Sequence, residues 1–238
     1  MGRHRKASDS PVRRSVIMLS GLVPAGVAAA TAAPAAAAPL AQEIALPTGS
    51  ASGSSDSGSA AAGSSGRPTP GVPFIAEVAY RTAAFQMAME QPQCNMSWEI
   101  LAGIGKVESH HANNGDVDMR GTARHGVHGP VLNGSLAGNE VVRNKSGGFQ
   151  RAEGPMQFMP GTWRHYAKPG ADPQNMFDAA YAAGNYLCSG GLDMRDPAQR
   201  TKAILRYNHS MAYVANVMAY ARAYQSGTAV NPRALPRI

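Results

Sequence analysis

Over 73–109 and again over 158–226 the apolar side chains recur mostly at steps of three and four, and no stretch shows clear period-two alternation of the kind a half-buried strand needs. That pattern predicts an all-α domain over 72–226. "PFIAEVAYRTAAFQMAME" (73–90) reads as a first helix. "SWEILAGIGKVES" (97–109) reads as a second, with Ser97 as N-cap and Glu99 in its first turn. "FMPGTWRHYA" is a short helix, and "DPQNMFDAAYAAGNYLCSGG" holds a longer one stopped by Gly190-Gly191. "DPAQRTKAILRYN" carries Asp196 as N-cap, Pro197 at the first helical position and Gln199 to complete a capping box. "SMAYVANVMAYARAYQSG" is the last helix, ending near Gly227. Between 112 and 152 the chain is rich in Gly, Asn and charge, which predicts a long irregular excursion with at most a minor ribbon. Inside a compact domain, loops of that length are usually functional or mobile.

The first 42 residues are expected to be a signal peptide. "MGRHRKASDSPVRR" is a basic leader, "SVIMLSGLVPAGVAAATA" an apolar core, and "APAAAAPLAQ" offers small-residue cleavage sites. Pro24, the glycines and the missing stop-transfer flank argue against a permanent membrane anchor. Residues 43–71, centred on "TGSASGSSDSGSAAAGSSGRPTP", read as a disordered Ser/Gly/Pro-rich flexible linker, and 227–238 as a flexible tail. Without the leader, the whole-chain count of 22 Lys+Arg against 15 Asp+Glu falls to 17 against 14. So small a positive balance gives no case for nucleic acid. The expected location is outside the cell, in the wall or a periplasm-like space. In such a place the two cysteines, Cys94 and Cys188, most simply form one disulfide, with two buried free thiols as the alternative.

Three stretches could carry chemistry. In "IGKVESHHANNG", Glu108 continues the stripe of Trp98, Leu101 and Ile104, so an apolar helix delivers one carboxyl to its last turn. Desolvation there favours the protonated acid, which can give a proton to a leaving oxygen and take one back. A surface ion pair is the plainer alternative. "RAEGPMQFMPGTW" sets a Gly154-Pro155 turn before Met156, Gln157 and Phe158: an amide that could orient a sugar, between apolar walls. The plainer reading of these residues alone is a turn feeding a helix that packs Phe158, Met159 and Trp163 into the core. "RYNHSMAYV" places Tyr207 and Asn208 at a helix junction, Ser210 as cap and Tyr213 just beyond. The histidines His110, His111, His125 and His128 raise a zinc site, but neighbours on one helix point apart and no His-Glu-x-x-His spacing exists. No metal or other cofactor is expected.

Taken together, and in this order, "CNMSWEILAGIGKVESHH", "GPVLNG", "RAEGPMQFMPGTW", "DPQNMFDAAYAAGNYLCSGG" and "YNHSMAYV" resemble the lytic transglycosylases of the lysozyme-like superfamily. The nearest type is the secreted actinobacterial one related to membrane-bound lytic transglycosylase B. The resemblance spans about 94 to 220. It implies a lysozyme-like fold, with Glu108 as the single catalytic acid/base and Ser109, Met156, Gln157, Phe158, Tyr207, Asn208 and Tyr213 around it as cleft residues. The implied substrate is the peptidoglycan glycan strand, cut at the β-1,4 bond between N-acetylmuramic acid and N-acetylglucosamine, leaving 1,6-anhydromuramyl ends. Three departures stand out. Glu153 replaces a usual apolar residue and is a candidate second acid. Only "YAKPGA" stands where relatives often carry an Asp/Gly-rich insertion, so no calcium loop is inferred. The segment before the Gly-Pro-Met-Gln motif reads "VVRNKSGGFQ" rather than Asp/Gly-rich. A hydrolytic lysozyme using Glu108 with Glu153, Asp116 or Asp118, and a non-catalytic wall-binding module, are the alternatives.

Overall fold

A computed structural model describes residues 69–135 and 141–238. The expected signal peptide and nearly all of the expected linker lie outside the described residues. Six α-helices follow in order: α1 (Phe74–Glu90), α2 (Trp98–Gly115), α3 (Pro160–Tyr166), α4 (Met176–Cys188), α5 (Pro197–Tyr207) and α6 (Met211–Ser226). Short 3-10 turns occupy Pro92–Cys94 and Pro232–Ala234. Among the described residues there is no strand, so the domain is all-α. Its boundary falls slightly before residue 72, because Thr69 already donates from its N–H and hydroxyl to the two carboxylate oxygens of Glu77 on α1.

Helix α2 packs against both α1 and α6, and α1 packs in turn on α4. The α1 face that turns inward is Ala76, Ala79, Tyr80, Ala83 and Met87, the stripe its sequence spacing predicts. Small residues let the helices meet closely. A Cβ on Gly103 of α2 would lie 2.5 Å from the Val217 carbonyl of α6, so only glycine permits that crossing. Trp98 closes one end of the interface, stacked on Tyr224 with the Arg81 guanidinium 4.0 Å above its ring.

Helix starts follow the sequence with two corrections. Asp196 accepts from the N–H groups of Ala198 and Gln199, as a cap should, but Gln199 does not complete a capping box. Its amide oxygen accepts instead from Asp193 N–H and fastens the loop before the helix. Ser97 occupies the N-cap position of α2, yet its side chain makes no capping hydrogen bond. Ser210 does cap α6, accepting from Tyr213 N–H. At the far end of α4, beyond which Gly190 and Gly191 both take positive φ, the Arg206 guanidinium donates to the carbonyls of Tyr186, Leu187 and Ser189. That satisfies carbonyls the helix itself leaves open.

The disulfide is present. Cys94 and Cys188 join the turn after α1 to the last residue of α4, with Cα atoms 5.4 Å apart. The excursion is irregular, held by isolated backbone bridges such as Asn133–Val141 and Arg143–Phe149 rather than by a regular ribbon. Leu132 is its anchor, fully buried, donating to Gln150 and accepting from Val142 through its backbone. The segment expected as a flexible tail is largely exposed but lies back on the domain: Asn216 of α6 donates to the Pro236 carbonyl, and Ile238 packs against the core.

Candidate functional site

The right-handed course of α2 ends at Ser109, one residue past Glu108. His110, His111, Ala112, Asn113 and Asn114 all take left-handed φ and ψ, with φ between 54° and 65°. L-residues adopt this conformation at roughly 1–2 kcal/mol each, and normally singly. The Asn-Asn-Gly at its end suits it, since asparagine tolerates the left-handed region and glycine adopts it freely. The two histidines and Ala112 gain nothing from it locally, so tertiary contacts must hold them there.

Ser109 supplies one such contact. Its hydroxyl donates to the Pro155 carbonyl at 2.7 Å and accepts from Ala112 N–H at 2.8 Å. Expected as a cleft residue, its buried hydroxyl instead ties the end of the Glu108 helix to the Gly-Pro-Met-Gln turn. That turn is fastened at successive carbonyls. Gly154 accepts from both the N–H and the side-chain amide of Gln157, and Met156 accepts from the Tyr207 hydroxyl at 2.8 Å. Gly154 has φ 78° and lies so close to the Pro173 carbonyl that no Cβ would fit. Gln157 also sits in the left-handed region, at φ 51°.

Glu108 is half-buried, and its Oε1 accepts from the Tyr213 hydroxyl at 2.6 Å. Burial pushes its pKa from 4.5 up to about 8, against the opposing pull of the Tyr213 hydrogen bond. Burial also lifts the Tyr207 and Tyr213 phenols well above their usual value, and the nearby Glu108 carboxyl adds to it. Both phenols therefore remain protonated donors through neutral pH. The two rings lie nearly parallel, 9° apart, and Phe158 meets Tyr207 edge-on. Phe158 is 1 % exposed, so it backs the tyrosines rather than walling a cleft.

Glu108, Ser109, Met156, Gln157, Phe158, Tyr207 and Tyr213 are thus joined in one linked cluster. Asn208 follows Tyr207 directly and is 5 % exposed, and its side-chain Nδ2 has no hydrogen-bond partner among the described residues. A buried amide left open in this way is costly unless something else binds it. The candidate second acids stand differently. Glu153 pairs through its backbone with Phe158, and what raises the pKa of Glu108 is burial, not a neighbouring carboxylate. Asp116 meets His125 at 2.6 Å, and Asp118 accepts from the N–H groups of Arg120 and Thr122, which shapes a turn.

The histidines do not gather. Among the described residues no group of three His, Cys, Asp or Glu side chains could hold a metal ion. His111 has another role, which the spacing argument missed. It is 1 % exposed, with Nδ1 3.0 Å from the Tyr80 hydroxyl and Nε2 3.0 Å from the Tyr224 hydroxyl. A tyrosine on the buried face of a helix needs a polar partner, and Tyr80 was the available signal.

Comparison with models of known protein families, with curated proteins and with solved structures found no match.

Proposed function

We propose that this chain is a secreted peptidoglycan lytic transglycosylase on a lysozyme-like fold, with Glu108 as its single acid and base. One observation carries the reading: a carboxyl at a helix end, kept protonated near neutral pH by burial and oriented by a phenol. An ordinary glycosidase needs two carboxylates set about the scissile bond. Here Asp116 and Asp118 are engaged in the excursion, and no carboxylate, Glu153 included, is among the causes that shift Glu108, which favours a one-carboxyl mechanism over a hydrolytic lysozyme.

Tyr213 donates to Oε1, so the other oxygen is free to carry the acidic proton. That proton passes to the glycosidic oxygen as the bond from the muramyl anomeric carbon breaks. The carboxylate then takes the proton of the muramyl 6-hydroxyl, whose oxygen bonds to the same anomeric carbon. The ring closes within one sugar, so proximity replaces a second protein group. Tyr213 stabilises the carboxylate between the two transfers. The partner is the glycan strand, and the site of action the wall.

Digestion of purified peptidoglycan tests this. Muropeptides should carry 1,6-anhydromuramyl ends, lighter by one water than lysozyme products. Reducing muramyl ends would favour the hydrolytic reading, and an intact glycan the non-catalytic one. Glu108→Gln should fold, bind glycan and lose turnover by more than the ~10²–10⁴ that acid–base assistance alone supplies, because one group serves both transfers.

A further inference from the structure

The left-handed turn after Glu108 is an expensive way to end a helix, and it is held near its start. His111 is its second residue, and its two ring nitrogens face hydroxyls from two different helices, Tyr80 of α1 and Tyr224 of α6. The three rings approach with centroids 5.7 and 5.9 Å apart. Neither tyrosine is free to follow the histidine. The Tyr80 hydroxyl fills the notch left by Gly105, one turn before Glu108 on α2, where any Cβ would collide with it. Tyr224 is clamped by its stack on Trp98 and contacts the Tyr220 ring on its own helix. The turn is thus fastened at two successive points: at Ser109 to the Pro155 carbonyl, and at His111 to α1 and α6.

We infer that His111 is a positioning residue for Glu108. By bridging Tyr80 and Tyr224 it fixes the left-handed turn, and the turn fixes the direction in which the Glu108 carboxyl leaves the helix. The inference rests on Glu108 being the working group of the site, but not on which bond it cleaves. If the bridge is cut, the strained turn can relax toward ordinary helix or loop, and the carboxyl swings toward water. Misplacement of about 1 Å is enough to lose ~10²-fold in rate. Burial and the nearby Lys106 and His110 hold His111 neutral, so one ring nitrogen donates and the other accepts. A neutral amide can imitate half of that, and an apolar ring none of it.

The test uses the full chain with ¹³C-labelled glutamate side chains, the Glu108 signal being assigned by its loss in Glu108→Gln. His111→Phe keeps the ring and removes both hydrogen bonds. Tyr80→Phe and Tyr224→Phe each remove one, and serve if the histidine variant does not fold. The expected result is a Glu108 titration that moves down from about 8 toward the ordinary carboxylate value. Turnover on solubilised glycan should fall ~10–100-fold with KM unchanged, and His111→Gln should recover part of both effects. Variants that melt earlier but keep the Glu108 titration and turnover would make His111 merely structural and overturn the inference. If the titration moves while not even the wild type cleaves glycan, positioning stands and the transglycosylase reading alone fails.

Discussion

Glu108 and His111 stand three residues apart, and burial pushes both toward their neutral forms. For Glu108 that means a pKa raised from 4.5 to about 8, so the folded chain keeps a proton that the unfolded chain has lost. Its contribution to stability is complete below 4.5 and disappears as pH rises to about 8. For His111 the pKa is lowered from 6.5 to about 3, and its contribution disappears as pH falls between those values. Melting temperature against pH should therefore decline on both sides. Glu108→Gln should flatten the alkaline decline and His111→Phe the acid one. Activity should follow the Glu108 proton and fall as pH rises through about 8. Ser109→Ala leaves the buried Ala112 N–H and Pro155 carbonyl without their partner, at ~1–3 kcal/mol in chemical denaturation. The partly buried place of Glu108 at the helix end was legible because it continued an apolar stripe. The tie of Ser109 to Pro155 and the bridge made by His111 were not, because helical periodicity cannot follow a chain that reverses its hand.

At the level of elements, helix ends explain which predictions held. Asp196 and Ser210 are caps in sequence and in structure, because a short polar side chain before an apolar run has few competing partners. Gln199 reached the other way: its amide found Asp193 N–H. Asp196→Ala should thus cost about 1 kcal/mol, within the ~0.5–2 range for caps. Gln199→Ala should leave the first turn of α5 intact and speed hydrogen exchange at Asp193 instead. The excursion was legible only as irregular. Its order comes from pairings such as Leu132 with Val142 and Gln150, whose partners lie far apart in sequence and follow no local pattern.

The described domain was legible as helical with one disulfide, because its helices are amphipathic and its cysteines are a single pair. The close approach of α2 to α6 was not, since it depends on one glycine meeting one carbonyl. Replacing both cysteines by alanine should lower stability by at most ~4–5 kcal/mol, the chain-entropy value for a loop near 100 residues, measured by denaturant unfolding.

The bridge also makes the domain a covalent ring from Cys94 to Cys188, and the excursion over 112–152 lies wholly inside that ring. A protease that nicks the chain around Arg143–Gly148 therefore releases nothing. The two pieces stay one molecule, with Glu108 on one and Gln157, Tyr207 and Tyr213 on the other. On a gel, limited digestion should give one band without reductant and two with it. The nicked species should keep the Glu108 titration until the disulfide is reduced. If the chain works outside the cell, as proposed above, breakage of the loop would then be a scar rather than a death.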